Sequence, residues 1–339
     1  MGLVNWGIIG IGEMANNFAE SATDVGIAQI KGIAGKNANR TNKFQQKFSI
    51  QKKFCFSDYE DLLKCEEIDI IYIAVTNNLH FSWIKKAIEY DKHILVEKPA
   101  TINAKESHQI YDLLRFKNLL FCEGLMFMHH PRTKLLLNTI KEGKIGSITK
   151  ISSSFGCGVV PKLNFFKRQI DKFKRQNRLF SNKLGGGCIL DLGCYLTSIT
   201  QIISNTTITE EPIYNLKNRL LNFSYKNVEV DATVEIEVDF KTTFNLHCSF
   251  TQNLGEQTII EGTDGVISLP SSWSCNKDIF LLNKKYTLCE SSPFVNPFSN
   301  QIENISKCLL EHNYKLKNEV YSFYDFHSNM KLIDSWKNY

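Results

Sequence analysis

A glycine-rich turn stands near the start of the chain, where a short apolar run gives way to an amphipathic one. It reads Gly10-Ile11-Gly12-Glu13-Met14-Ala15, the pattern GxGxxA. The first glycine permits a tight turn, the second lets the backbone approach a pyrophosphate, and the alanine allows close packing of a helix on a strand. The N–H groups at the start of that helix attract an anion. We therefore predict a dinucleotide-binding turn, with a purely structural glycine turn as the alternative; its residues are Gly10, Gly12, Glu13, Met14 and Ala15.

The end of the second predicted strand carries cations where NAD-selective proteins carry an acid. The chain there reads Ala34-Gly35-Lys36-Asn37, and Arg40 follows one turn later. An acidic residue at this place accepts a hydrogen bond from the ribose 2′-hydroxyl of NAD, whereas cations suit the 2′-phosphate of NADP. Lys36, supported by Arg40, thus predicts NADP(H) in preference to NAD(H). The alternative is that both are solvated residues at the start of a helix.

A lysine between a glutamate and a proline follows the apolar segment 93–96. Open α/β sheets bind their ligands at the carboxyl ends of their strands. Pro99 lacks an N–H group and restricts the residue before it to extended conformations. We therefore predict that Lys98 is held out over a ligand cleft.

Alternating strands and helices must position these three turns. Short apolar runs predict strands at 3–11, 28–34, 68–75, 93–96 and 119–123. Amphipathic runs between them predict helices at 15–22, 40–48, 59–65, 81–90 and 104–116. Such alternation implies parallel strands joined by right-handed crossovers, with helices on both faces of the sheet.

The pattern changes after one more predicted helix at 132–142. Residues alternate between apolar and polar at 148–155, 229–240, 243–251, 258–261 and 266–269, which predicts strands of an open, mainly antiparallel sheet. Further helices are predicted at 189–203, 301–310 and 320–336. The predicted class is α/β, with an N-terminal Rossmann doubly wound domain over 1–125. Residues 126–339 are predicted to form a C-terminal α+β domain.

The composition is that of a globular protein, with 43% hydrophobic and 22% charged residues. The net charge of +5 is small and its cations form no stripe with interleaved aromatics, so we expect no nucleic-acid partner. No apolar run is long enough to span a membrane, and the first residues lack the features of a signal peptide. We therefore predict a cytoplasmic protein without a membrane partner. The cysteines and histidines show no metal-binding spacing, and no metal is expected.

One segment concentrates positive charge. Residues 162–183 hold eight Lys or Arg residues against the single acid Asp171. A solvated surface loop or helix face explains such a run. The alternative is a site for an anionic substrate.

Four motifs together resemble the glucose-fructose oxidoreductase and inositol dehydrogenase (Gfo/Idh/MocA) family, over nearly the whole chain. They are Trp6-Gly7-Ile8-Ile9-Gly10-Ile11-Gly12, Ile73-Ala74-Val75-Thr76-Asn77-Asn78-Leu79-His80, Glu97-Lys98-Pro99, and Gly185-Gly186-Gly187-Cys188-Ile189-Leu190-Asp191-Leu192-Gly193-Cys194-Tyr195. The resemblance implies that Lys98 contacts both substrate and cofactor and that Asp191 and Tyr195 complete the catalytic set. It also implies that the cofactor is contacted by Val75, Asn77, His80 and Glu97. A purely structural role is the alternative for His80.

Under this resemblance Tyr195 is the acid-base residue. Residues four apart on a helix face the same side, so Asp191 and Tyr195 can reach one substrate. A free tyrosine has a pKa near 10, and a lysine ammonium such as that of Lys98 lowers the pKa by stabilising phenolate. Asp191 would orient the sugar hydroxyls or Lys98.

The expected function is therefore an NADP(H)-dependent oxidoreductase that moves a hydride to or from a carbon of a small carbohydrate. A narrower version is a ketoreductase of a phosphorylated or nucleotide-linked sugar, whose phosphates would meet Lys167, Arg168 and Arg178. The alternatives are a dehydrogenase of a free polyol, sugar or trans-dihydrodiol, and a non-catalytic regulator that binds the cofactor.

The resemblance also implies a homodimer or homotetramer that pairs through the outer face of the antiparallel sheet. The apolar residues Phe244, Leu246 and Cys248 share one face of a predicted strand. They are candidates for the pairing surface. The alternative is that this face is the core.

Overall fold

The computed structural model describes residues 2–158, 178–207, 211–224, 227–239, 241–276, 279–283, 287–290, 296–314 and 325–338. The chain divides into two compact units. The first consists of Met1–His129 and Val295–His327, and the second of His130–Phe294 and Ser328–Tyr339. A segment near the end of the chain thus joins the first unit, an association that the alternation of strands and helices does not indicate.

The first unit contains the predicted doubly wound sheet. Its strands are β1 (Val4–Ile9), β2 (Ala28–Ala34), β3 (Cys55–Phe56), β4 (Ile70–Ile73), β5 (His93–Val96) and β6 (Phe121–Glu123). They lie in the order β3-β2-β1-β4-β5-β6, and every pair is parallel. The Rossmann prediction is confirmed. The order reverses at β1, which places the turn after β1 between those after β2 and β4.

The helices of the first unit connect these strands. They are α1 (Glu13–Ala22), α2 (Ala38–Lys47), α3 (Tyr59–Leu63), α4 (Asn77–Glu89), α5 (Ala104–Leu114) and, near the end of the chain, α8 (Pro297–Leu310). Short 3₁₀ turns occupy Lys52–Phe54 and Met126–His129. Ile302 and Ile305 of α8 are fully buried in the core that surrounds Trp6, and the indole Nε1 of Trp6 donates to Ser306 Oγ at 3.2 Å. Burial of these apolar side chains explains why α8 belongs to this unit.

The second unit is built on a larger, mixed sheet. Its strands are β7 (Ile148–Gly156), β8 (Tyr214–Phe223), β9 (Glu229–Val238), β10 (Thr242–Ser249), β11 (Gly255–Gly262), β12 (Gly265–Pro270), β13 (Ile279–Asn283) and β14 (Thr287–Glu290). Their order is β14-β13-β12-β11-β7-β10-β9-β8. β7 and β10 pair in parallel and the other neighbours are antiparallel, which confirms a mainly antiparallel sheet.

A π-helical turn (Ile189–Gly193) and α7 (Cys194–Thr207) pack on β7 and β10, and α6 (Pro131–Lys141) packs on α7. The part of α9 (Asp325–Asn338) that follows His327 also belongs to this unit. The stretch Asn182–Thr207 is apolar and long enough to cross a membrane by length and composition, but 94% of its most apolar window is buried inside the protein. It is the central helix of the second unit.

The apolar face of β10 belongs to the core. Phe244, Leu246 and Cys248 are at most 1% exposed, because this face packs on the π-helical turn and α7. The expectation that they form a pairing surface is therefore wrong, and the alternative holds. The opposite face carries partly exposed polar side chains such as Asn245 and His247.

Candidate active site

The turn between β1 and α1 has the shape of a phosphate cradle. Gly10 has a φ of +94°, and a Cβ there would lie 2.6 Å from the carbonyl oxygen of Ala74. Gly12 caps α1 without a side-chain hydrogen bond, and a Cβ on it would meet nothing within 4 Å. The N–H groups of Glu13 and Met14 lie in the first turn of α1, where a helix provides no partner of its own. Open space beside an uncapped helix start fits a pyrophosphate.

The turn after β2 carries the two predicted cations on its surface. Lys36 and Arg40 are both exposed, and the Lys36 ammonium lies 5.4 Å from the centre of the Tyr59 ring. Asn37 caps α2, its side chain accepting a hydrogen bond from the Arg40 backbone N–H at 3.0 Å. This cap fixes the first turn of α2, which carries no acidic residue.

The turn after β4 lies against the first glycine turn. A Cβ on Gly10 would be only 3.0 Å from Val75 Cγ1, so the two turns are in contact. Asn77 begins α4 and is buried. His80, also on α4, is fully buried; its Nδ1 lies 2.9 Å from the Pro99 carbonyl oxygen and its Nε2 lies 3.1 Å from that of Val75.

The turn after β5 is anchored by two buried carboxylates. Tyr72 donates its hydroxyl proton to Glu97 Oε1 at 2.5 Å, and the Tyr72 ring stacks on Phe18 with 4.0 Å between centroids. The Ala100 N–H donates to Glu123 Oε1 at 2.8 Å. Glu97, which the resemblance assigns to the cofactor, thus directs a carboxylate oxygen at Tyr72. Nothing in the sequence pattern signalled the roles of Tyr72 and Glu123.

Lys98 lies between these anchors. Its side chain is partly exposed, and the peptide bond to Pro99 is cis. In the first unit, the structure therefore brings Lys98, the glycine turn, Val75, His80 and the cations after β2 to the carboxyl ends of four neighbouring strands.

The glycine run of the second unit is required by close packing. A Cβ on Gly186 would lie 2.5 Å from the Arg178 carbonyl oxygen. Gly187 has a φ of +112°, and a Cβ there would lie 2.3 Å from Glu229 Oε1. Burial raises the pKa of Glu229, and the Lys337 ammonium, 3.8 Å from Oε1, opposes that rise. The run thus lets both the 178–179 backbone and a buried carboxylate approach the start of the helical segment.

Asp191 lies within the π-helical turn that follows this run. Its Oδ1 is 3.6 Å from Arg178 Nη1, with side chains that are 15% and 45% exposed respectively. The sequence predicted an uninterrupted α-helix here. π-helical turns occur frequently at functional sites, since the extra residue redirects the side chains around it.

Tyr195 lies in an aromatic pocket. Its ring centroid is 5.6 Å from that of Phe155, in an edge-on arrangement, and 5.5 Å from that of Trp273. Only 6% of Tyr195 is exposed. The sequence did not indicate either neighbour, because strand β7 and the turn after β12 meet only in the folded sheet.

Two polar anchors hold Trp273 in place. Glu256 Oε2 accepts hydrogen bonds from the Trp273 and Ser274 backbone N–H groups at 3.3 and 2.9 Å. The buried guanidinium of Arg132 donates to three successive backbone carbonyl oxygens, at positions 270, 271 and 272. These bonds make the turn beside Tyr195 a fixed element of the pocket.

In the second unit, Asp191 and Tyr195 lie on one continuous helical segment. Arg178 lies in the turn that precedes the glycine run. Lys167 and Arg168, the other residues predicted to meet a phosphate, lie outside the described residues. Within the described parts of the chain, no group of three His, Cys, Asp or Glu side chains is arranged to hold a metal ion.

Family models match both units. An oxidoreductase family with an NAD-binding Rossmann fold matches residues 4–125, and the GFO/IDH/MocA C-terminal domain matches residues 134–268. The chain belongs to the Gfo/Idh/MocA family. It is thus an NAD(P)-dependent oxidoreductase, as the four motifs predicted.

Two relatives in the Gfo/Idh/MocA family are similar to this chain at less than 30% sequence identity. A dTDP-3,4-didehydro-2,6-dideoxy-α-D-glucose 3-reductase from Saccharopolyspora spinosa is 29% identical over 57% of this chain, and the match spans about half (53%) of that enzyme. A trans-1,2-dihydrobenzene-1,2-diol dehydrogenase from Xenopus laevis is 26% identical over 90% of this chain and 89% of its own.

A solved structure in the Gfo/Idh/MocA family shares the fold over the whole chain. It is a variant of the 3-ketoreductase KijD10 from Actinomadura kijaniata, in complex with TDP-benzene and NADP. Its TM-score is 0.83 at 19% identity, covering 99% of this chain and 97% of that one.

Proposed function

We propose that this protein is an NADP(H)-dependent ketoreductase of a nucleotide-linked sugar. The observation that carries the proposal is the carboxyl edge of the first sheet, where an open, uncapped helix start adjoins two exposed cations and no carboxylate follows β2. The dTDP-sugar for which the 3-reductase from Saccharopolyspora spinosa is named, and the TDP-benzene bound to KijD10, support the choice of a dTDP-sugar.

The cofactor contacts follow from the turns. Gly12, Glu13 and Met14 would receive the pyrophosphate at the start of α1. Lys36 and Arg40 would pair with the 2′-phosphate, and charge-assisted hydrogen bonds to phosphate are stronger than neutral ones. Glu97 would act indirectly, since its carboxylate accepts from Tyr72.

In the proposed reaction the bound nicotinamide supplies the hydride. Tyr195 donates its hydroxyl proton to the sugar oxygen on which negative charge develops. Asp191 accepts hydrogen bonds from sugar hydroxyls, and Arg178 offers a cation beside it. Phe155 and Trp273 exclude water around the phenol, which strengthens its hydrogen bonds.

Lys98 supplies a positive charge that favours the phenolate left after proton transfer. Lys98 and Tyr195 belong to different units of the chain. The proposal therefore requires that the two residues act on the same substrate.

The deciding experiment is a substrate screen with NADPH. Purified protein would be mixed with NADPH and, separately, a dTDP-linked 3-keto sugar, the same sugar without the nucleotide, and a carbohydrate without a ketone. Oxidation of NADPH only with the nucleotide-linked ketone supports the proposal. Equal turnover of the free sugar would overturn the nucleotide assignment, and no binding of either nicotinamide cofactor would overturn the cofactor assignment.

A second candidate is oxidation of a trans-dihydrodiol with NADP⁺. Phe155 and Trp273, the aromatic side chains on either side of Tyr195, suit a flat, unsaturated ring. The match to the Xenopus laevis dehydrogenase covers most of both chains. Production of NADPH from a trans-dihydrodiol, with no reduction of nucleotide-linked ketones, would favour this candidate.

A further inference from the structure

His80 makes two contacts that a neutral imidazole cannot satisfy together. Its Nδ1 lies 2.9 Å from the carbonyl oxygen of Pro99, and its Nε2 lies 3.1 Å from that of Val75. Both partners are carbonyl oxygens, which only accept hydrogen bonds. A neutral imidazole carries one N–H group, so one of the two contacts would set a ring lone pair against a carbonyl lone pair.

The histidine is also enclosed by the protein. None of its surface is exposed, so water cannot replace either carbonyl as a partner. An imidazolium donates from both nitrogens and satisfies both contacts with charge-assisted hydrogen bonds. A buried cation requires compensating negative charge.

The neighbouring strand ends carry two carboxylates. Glu97 and Glu123 are buried carboxylates on the turn after β5 and at the end of β6, and Glu123 holds the Ala100 N–H next to Pro99. Two features oppose a cation here: the ammonium of Lys98, on the residue before Pro99, and the start of α4, which favours negative charge. The two carbonyl contacts favour the cation, because a neutral ring leaves one of the two carbonyl oxygens without a donor.

We propose that His80 is held as an imidazolium that ties the turn after β4 to the turn after β5 and thereby positions Lys98. Val75 and Pro99 are the two ends of this tie, and Lys98 is bonded directly to Pro99. His80 is thus a positioning residue, which acts through Lys98 and touches no substrate. Only the catalytic consequence rests on the proposed function; the protonation state does not.

The first test is the ¹⁵N spectrum of the histidine rings in the wild-type protein at pH 7.5. A neutral imidazole shows one protonated and one unprotonated nitrogen at well separated shifts, whereas an imidazolium shows two protonated nitrogens close together. Two other histidines provide internal references, because loss of hydration lowers the pKa of His93 and of His129 to about 4, so both are neutral at this pH.

The result expected is a pair of protonated nitrogens for His80 beside the split signals of His93 and His129. The resonance would be assigned by its loss in His80→Gln or, should that variant not fold, by its NOEs to Pro99. A split signal for His80 would overturn the proposal.

The second test separates positioning from folding. A glutamine side chain can donate to only one of the two carbonyls while its oxygen faces the other. We expect His80→Gln to lower kcat about 10- to 100-fold, the effect of a small misplacement of a catalytic group, with KM for NADPH little changed. His93→Gln is the matched control, because His93 is a partly buried histidine on this sheet and lies outside the site; kcat should stay at the wild-type value.

Amide hydrogen exchange gives the same comparison if no sugar proves to be a substrate. The Ala100 N–H lies beside the tie and should exchange faster in His80→Gln than in His93→Gln. Equal exchange and equal kcat in the two variants would show that His80 does not hold the turn.

Discussion

At the residue scale, the candidate chemistry depends on one phenol oxygen in an apolar pocket. The ring of Tyr195 is fixed by Phe155 and Trp273, and the Trp273 turn is in turn fixed by Arg132 and Glu256. Removing only the oxygen leaves all the ring packing in place. Phenylalanine is therefore the substitution that separates proton donation from structure.

We expect Tyr195→Phe to lower kcat by about 10²- to 10⁴-fold, the usual contribution of general acid catalysis. The dissociation constant of NADPH and the midpoint of thermal unfolding should stay near their wild-type values, because the ring contacts remain. Steady-state kinetics with the substrate found in the screen provides the measurement. Unchanged kcat would remove Tyr195 from the proton-transfer step.

Two exposed cations at the end of β2 decide the proposed cofactor preference. We expect Lys36→Ala with Arg40→Ala to weaken NADPH binding by about 100-fold or more, since each lost charge-assisted hydrogen bond costs about 1.5–3 kcal/mol. Binding of NADH should change little, because NADH has no 2′-phosphate. The double variant Lys43→Ala with Lys52→Ala removes the same charge from exposed positions nearby and should bind both cofactors like the wild type. Equal losses for NADPH and NADH would contradict this role.

At the element scale, two glycines at helix starts serve different purposes. Gly187 has a φ of +112° and touches Glu229, so its lack of a side chain is a condition of folding. Gly12 has an ordinary φ of −105°, and open space lies around it, so its lack of a side chain serves a ligand.

The corresponding alanine variants should therefore behave in opposite ways. We expect Gly187→Ala to lower the free energy of unfolding by about 2 kcal/mol or more, from backbone strain and the clash with Glu229. Gly12→Ala should cost less than about 1 kcal/mol but weaken NADPH binding strongly, because its methyl group occupies the approach of the pyrophosphate. Denaturant unfolding and fluorescence titration measure the two effects. A stable Gly187→Ala, or a Gly12→Ala that binds NADPH normally, would contradict the distinction.

Elements with a buried face could be predicted from the sequence, and elements without one could not. The strands Ala28–Ala34 and His93–Val96 match the predicted bounds, because their apolar runs are buried. β8 escaped prediction because it is an edge strand whose apolar residues are exposed, Leu220 at 70% and Phe223 at 54%. The π-helical turn has no pattern in the sequence, since it depends on how the glycine run packs. The aromatic neighbours of Tyr195 come from distant strands, and no local period reveals them.

At the scale of the whole molecule, the free energy of unfolding should depend on pH through two histidines that are neutral in the folded protein. Burial lowers the pKa of His93 and of His129 to about 4, whereas an unfolded histidine titrates near 6.5. Between these values the unfolded chain binds protons that the folded chain does not. The stability that these two neutral histidines contribute is fully present above pH 6.5 and is lost as the pH falls from 6.5 toward 4. Burial raises the pKa of Glu106 and Glu229, which offsets part of this loss toward the acid end.

We expect the free energy of unfolding to fall as the pH is lowered from 6.5 to 4.5. Unfolding then takes up nearly two protons, which corresponds to a slope of about 2.7 kcal/mol per pH unit. His93→Gln removes one of the two groups and should halve the slope, while its amide oxygen can still accept from the Leu120 N–H that now donates to the ring at 2.9 Å. Denaturant unfolding at several pH values measures both slopes. Equal slopes in the wild type and the variant would show that His93 is not a source of the dependence.

At the same scale, the proposed proton transfer needs residues from both units of the chain. Lys98 lies in the first and Tyr195 in the second, and the proposed mechanism assigns both to one proton transfer. Residues that act as a unit give losses that are far from additive. We therefore expect Lys98→Met with Tyr195→Phe to lower kcat/KM about as much as the worse single variant, and not by the product of the two losses. Lys36→Ala with Tyr195→Phe is the comparison, because Lys36 would bind the cofactor without taking part in proton transfer, so its losses should multiply. If the losses of Lys98→Met and Tyr195→Phe also multiply, the two residues serve separate steps and the assignment of Lys98 to the phenolate is wrong.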